Sequence, residues 1–220
     1  MAAPISKGAT NLVGIWNLSN RTGNCRMILI RSFNWYDDKI SNTLLLNAKV
    51  IEKQRAPWLV RKALKFANLS LDIKQTSFLS DGTSAEFTVD DSGLDSPADA
   101  VTTLRIKQTV SPGSFDSMGT YYLDGKPKEY SLPIFGDVNM RLQYINVADI
   151  NNEPLRQRLE RANPTKIVIE ESAHNPGKGW KAQVVWAFEL INEKRYLTRN
   201  VSTWNDKEKV EARMVYDYHA

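Results

Sequence analysis

The chain has 220 residues, 42% of them hydrophobic and 25% charged, with a net charge of +4. That length and apolar content suffice for one full core and exclude a disordered chain. The basic excess is scattered, without a Lys/Arg block or zinc-ligand spacing, so nothing points to nucleic acid.

The single cysteine, Cys25, has no internal disulfide partner, so no oxidising compartment is called for. The start Met1-Ala2-Ala3-Pro4 lacks the pattern of a signal peptide, and the apolar run Met27 to Ile30 is far short of a membrane span. A cytoplasmic protein without a membrane span is expected. The sequons at Asn17 and Asn68 would then go unused.

The chain shows no repeat and no heptads, and reads as one domain over residues 1–220, with residues 1–10 expected to be flexible. A first strand is predicted from about Val13 to Arg21. Leu44, Leu45, Ala48 and Ile51 then recur at helical spacing. Pro57 suits the first turn of a second helix, with Trp58, Leu59, Ala63, Leu64, Phe66 and Ala67 as its apolar stripe.

From Leu69 the period turns to two, and Asp81-Gly82 is a hairpin signal. A strand follows over about 83–89. The acidic, Gly- and Pro-broken segment 90–99 reads as a mobile loop. Strands resume near 101–110, 117–123, 128–132 and 138–147, with Asp124-Gly125 as a tight turn. A short helix is predicted over Glu153 to Ala162, after Asn152, with Leu155 and Leu159 on one side. The chain ends in strands near 166–171, 180–191, 195–204 and 209–218. They are separated by 175–179, Asn192-Glu193 and 205–207.

Roughly ten strands with short links must run antiparallel. Closing such a meander into a barrel removes its exposed edges, and a two-sheet sandwich is the alternative. The fold class expected is mainly β: an up-and-down antiparallel barrel with a helical lid after the first strand.

The Gly14-x-Trp16 pair on the opening strand resembles the lipocalin-type signature. The order strand, two short helices, then many strands is similar to intracellular fatty-acid-binding proteins. Both belong to the calycins. The segment Pro57 to Leu64 and the ending Val210-x-x-Arg213-Met214-Val215-Tyr216-Asp217-Tyr218 look like fungal calycin-like proteins of similar length. The resemblance implies that Trp16 closes one end of the barrel and that the barrel holds an apolar ligand. Fatty-acid-binding proteins hold the ligand carboxylate with an Arg and a Tyr two positions apart on the last strand. Here Arg213 and Tyr216 are three apart, so a regular strand turns them to opposite faces and only a β-bulge would reunite them.

Alternation sets Ala182, Val184, Trp186, Phe188 and Leu190 on one face, which should point inward. Trp186 and Phe188 then line a cavity or fill the core. Arg199 lies between Leu197 and Val201 in the pattern of an inward face, where a guanidinium suits a carboxylate, enolate or polarised carbonyl. Tyr196 leads the polar stripe of the same strand. Arg199 and Tyr196 are the candidate catalytic pair. Trp186, Phe188, Tyr144, Met140, Arg213, Tyr216 and Tyr121 are the candidate ligand contacts. His174, in a turn, and His219, beside the C-terminus, are expected to face solvent.

No phosphate loop, zincin motif or nucleophile elbow is present. No cofactor or metal is expected, and the expected partner is a small hydrophobic molecule. Two functions fit. One is a cofactor-free cyclase, isomerase or pericyclic (Diels–Alder-type) catalyst of secondary metabolism, which needs only a shaped cavity and one or two donors. The other is a carrier of a hydrophobic ligand. A filled barrel acting as an interaction protein is a third option. The oligomeric state stays open, with a dimer among the options.

Overall fold

The computed structural model describes residues 1–19, 68–79, 81–84, 88–90, 93–95, 100–111, 116–132, 135–163 and 165–219. The expected helical lid between residues 41 and 67 lies outside the described residues, as does Cys25. The strands are β1 (Gly14–Leu18), β2 (Asn68–Phe78), β3 (Thr88–Asp90), β4 (Gly93–Asp95), β5 (Val101–Ser111) and β6 (Ser117–Tyr122). They continue as β7 (Lys128–Leu132), β8 (Gly136–Asn146), β9 (Ile167–Asn175), β10 (Trp180–Ile191), β11 (Lys194–Trp204) and β12 (Lys209–His219). A helix, α1 (Glu153–Ala162), follows a 3-10 turn over Val147–Asp149.

Ten strands form one antiparallel sheet in the order β6-β5-β2-β1-β12-β11-β10-β9-β8-β7. The sheet curls into a half-barrel, an up-and-down architecture compatible with a calycin-like β fold. The short β1 joins the two ends of the chain, pairing with β12 on one side and β2 on the other. Among the described residues the ladder stops at β6 and β7, which are sequence neighbours. Their link is stitched to the flanking strands, with the Leu123 N–H donating to Thr102 O and the Gly125 N–H to Leu142 O. The sheet curls far enough for Tyr121 of β6 and Tyr130 of β7 to meet, ring centres 5.2 Å apart. The small β3–β4 hairpin occupies part of the segment expected to be a loop.

Local chemistry explains the regular joints. The β10–β11 hairpin turns on Asn192 and Glu193, both at positive φ (50° and 62°), as a two-residue turn of right-twisted strands requires. The Asn152 side chain caps α1 by accepting the Leu155 N–H at 3.0 Å. Leu155 and Leu159 pack against Val168, Val185 and Ala187 on the outer face of the sheet. This is why β10 reads as apolar on both faces.

The floor of the curled sheet forms around Trp16. It is fully buried, its Nε1 donates to Leu12 O at 2.8 Å, and its ring meets Phe188 edge-on at 5.9 Å and Tyr218 at 4.9 Å. Gly14 sits at φ +140°, and a Cβ there would lie 2.6 Å from the Tyr218 ring. Only glycine lets that ring close over the strand, which accounts for the Gly-x-Trp spacing.

Arg195 places its guanidinium 4.1 Å from the Phe188 ring centre and donates to Ala162 O and Lys7 O. The first residues, expected to be flexible, meet the same floor. The Ala3 N–H donates to Arg195 O, the terminal ammonium lies 3.1 Å from Asp217, and Ala9 and Leu12 are buried.

Candidate functional site

Alternation sends Ala182, Val184, Trp186 and Phe188 of β10 into the main core, the face that the sequence pattern assigns inward. Arg199 stands opposite Trp186 in the β10–β11 ladder. Its guanidinium lies 4.1 Å from the indole ring centre, and its Nη2 is 3.3 Å from Glu171 Oε2. Trp186 Nε1 donates to that same oxygen at 2.9 Å. Glu171 reaches the cluster from β9, where Ile167, Ile169 and Ala173 share its face.

Two phenols complete the cluster. Tyr216 of β12 lies within hydrogen-bonding reach of Arg199, and its hydroxyl also points to the Met214 sulfur at 3.7 Å. Tyr121 of β6 lies within the electrostatic reach of both Glu171 and Arg199. Its neighbour on the strand face is Gly119, where a Cβ would lie 2.6 Å from the Tyr121 hydroxyl, so the glycine makes room for the phenol.

A bare guanidinium in an apolar wall would cost several kcal/mol, roughly, through lost hydration. The indole face, the carboxylate and the phenol offset that loss together. Burial lowers the Arg199 pKa, but Tyr216 and Glu171 outweigh it and hold the group above its ordinary value. The Arg199 side chain stays 18% accessible and that of Glu171 11%, although both point into the curl. Among the described residues the buried Arg199 Nε has no hydrogen-bond partner. The cluster therefore combines a cation, a carboxylate and two neutral donors on a partly open inner wall.

The other expected site residues divide by strand face. Met140 and Tyr144 of β8 point inward. The Tyr144 hydroxyl accepts from Gln75 Nε2 at 2.9 Å, and Gln75 also holds Ala9 O and the Leu12 N–H. Phe188, expected as a cavity wall, has no exposed surface and belongs to the floor under Trp16 and Arg195.

Two expectations need correction. Tyr196 cannot act beside Arg199, because the two differ by an odd number of residues on a regular strand. Arg199 points inward, while Tyr196 shares the outer face with Thr198 and Asn200. Arg213 likewise faces outward, where its Nη2 meets Glu189 at 2.9 Å. The β11–β12 register runs unbroken from Leu197–Tyr216 to Trp204–Lys209, so no bulge reunites Arg213 with Tyr216. The inward partner of Tyr216 is Arg199, from the neighbouring strand.

The outer face carries a cluster of its own. Glu189 is 1% exposed and receives Thr198 and Asn200 on Oε1 and Arg158 and Arg213 on Oε2. A groove of about 330 Å³ runs beside it, between Leu155 and Arg158 of α1 and Gln183 and Asn200 of the sheet.

Sequence reasoning missed Glu171 and Gln75. The signal for Glu171 was present, since Ile167-x-Ile169-x-Glu171-x-Ala173 puts a carboxylate on an apolar face. No family model matches this chain, and no curated protein is a significant match to it.

The inner phenols set a pH dependence. Burial raises the pKa of Tyr121, Tyr144 and Tyr216 above the ordinary value, the strongest influence on each. In the unfolded chain these phenols lose their protons near pH 10, while the folded chain holds them. Their contribution to stability is thus complete below about pH 10 and lost as pH rises through the folded values. Urea midpoints should fall as pH rises above about 10, with phenolate absorbance lagging the ordinary titration. Constant midpoints with ordinary phenol titration would contradict the buried placement.

Proposed function

We propose that the barrel encloses a small apolar metabolite and polarises its carbonyl group at Arg199, promoting a cofactor-free isomerisation, cyclisation or pericyclic reaction of secondary metabolism. The observation that carries this reading is the Arg199 guanidinium, inward, desolvated and still partly accessible among Trp186, Tyr216 and Tyr121. Donors fixed before the substrate arrives need no reorganisation as charge develops on the oxygen. The lipocalin-type opening strand and the calycin-like sheet agree with an enclosed ligand.

The carrier reading would use Arg199 and Tyr216 to hold a carboxylate. Charge counts against it, because Glu171 already neutralises Arg199 and would repel a second carboxylate. The cluster favours a neutral carbonyl compound.

A pair of fluorescent probes tests this: Prodan, a neutral aryl ketone, and cis-parinaric acid, a carboxylate of similar size. Prodan should bind more tightly, and Arg199→Ala should weaken it about tenfold to a hundredfold, the worth of a charged hydrogen bond. No Prodan binding, or equal binding by Arg199→Ala, would reject the assignment.

A further inference from the structure

The structure holds two buried carboxylates with opposite degrees of satisfaction. Glu189, outside, has partners on both oxygens. Glu171, inside, receives both Trp186 and Arg199 on Oε2 alone. Among the described residues nothing bonds its Oε1, although the side chain is nearly enclosed. A carboxylate kept only for packing would have both oxygens paired, as Glu189 does. One oriented by two donors on one oxygen presents the other to whatever occupies the space.

We propose that Glu171 is the proton acceptor of this site and that its substrate class is neutral, lipophilic ketones or β-dicarbonyls with an acidic α C–H. This rests on the reading that Arg199 receives the carbonyl. Glu171 Oε1 takes the proton from the α-carbon. The C–H electron pair forms the C=C bond, and the carbonyl π pair moves to oxygen, giving an enolate beside Arg199 and Tyr216. Return of the proton from Glu171 to the γ-carbon of an unsaturated ketone, or to oxygen, completes a 1,3-shift or an enolisation. No oxidant, reductant or co-reactant is consumed.

The electrostatics favour such a transfer. Before it, Arg199 is paired with the Glu171 carboxylate. After it, Arg199 is paired with the enolate and Glu171 is neutral. One anion has moved within reach of one cation, and no new charge has been created in the low-dielectric interior. An Arg–Glu pair that keeps 18% and 11% of its side-chain surface accessible suits this exchange of partners better than a hydrophobic pair of the same volume.

The test is deuterium exchange into the α-position of Prodan and of benzoylacetone in heavy water, followed by mass spectrometry. The full chain should accelerate exchange over buffer, and Glu171→Gln should reduce that acceleration roughly a hundredfold, the scale of a positioned base. Prodan binding by Glu171→Gln should stay within a few-fold, which shows a folded and occupied site. Tyr196→Phe, on the outer face, should leave both readouts unchanged. Prodan binding without accelerated exchange, or equal acceleration by Glu171→Gln, overturns this proposal alone. Failure of the wild-type chain to bind Prodan overturns the parent reading as well.

Discussion

Replacing Glu189 with leucine is expected to lower the unfolding free energy by about 3–5 kcal/mol, the usual cost of removing one member of a buried ion pair. Glu189 sits under α1 on the outer face of β10, 1% exposed, and pairs with two guanidiniums through one oxygen. Arg158 keeps 34% of its side-chain surface and can recover hydration by turning outward. Arg213, with an 11% accessible side chain, has much less freedom to do so and dominates the loss. Thr198 keeps a bond to Ala187 O at 3.3 Å but loses its carboxylate partner.

The double variant Glu189→Leu/Arg213→Leu should be more stable than the single one, because it removes a poorly hydrated guanidinium together with the carboxylate it faces. Urea denaturation of the three proteins reads this directly. A single variant within about 1 kcal/mol of wild type would show that solvent already reaches the cluster.

Trp16→Ala is expected to cost about 3–5 kcal/mol, the usual range for emptying a buried aromatic site. The cavity would open between Phe188 and Tyr218, and Leu12 O would lose its indole donor. Trp16→Phe should cost less, about 1–3 kcal/mol, since it removes the hydrogen bond and leaves only a small cavity. Because Arg195 lies over the Phe188 ring and holds the first residues, the damage should spread to their docking. Faster proteolysis near residues 1–12 in Trp16→Ala would report that spread. Equal stability of Trp16→Ala and wild type would remove Trp16 from the floor.

Much of the architecture was legible because its rules are local. Period-two alternation marked the strands, turn residues such as Asp124-Gly125 and Asn192-Glu193 marked their links, and Asn152 with Leu155 and Leu159 marked the helix. The inward face of β10 followed from parity alone, and so did the opposite directions of Arg213 and Tyr216. The pairing of Arg199 with Tyr196 failed on that same rule, because an odd separation on a regular strand separates two faces.

The sequence by itself determined which residues alternate together, and therefore that Arg199 belongs with Leu197 and Val201 on one face. Only the tertiary structure decided what that face meets. Glu171 lies 28 positions away and becomes the partner of Arg199 because β9, β10 and β11 run side by side. Tyr121 approaches across the curl from the far edge of the sheet. Strand pairing is a long-range choice, set by packing and closure of the whole sheet, and no local periodicity encodes it.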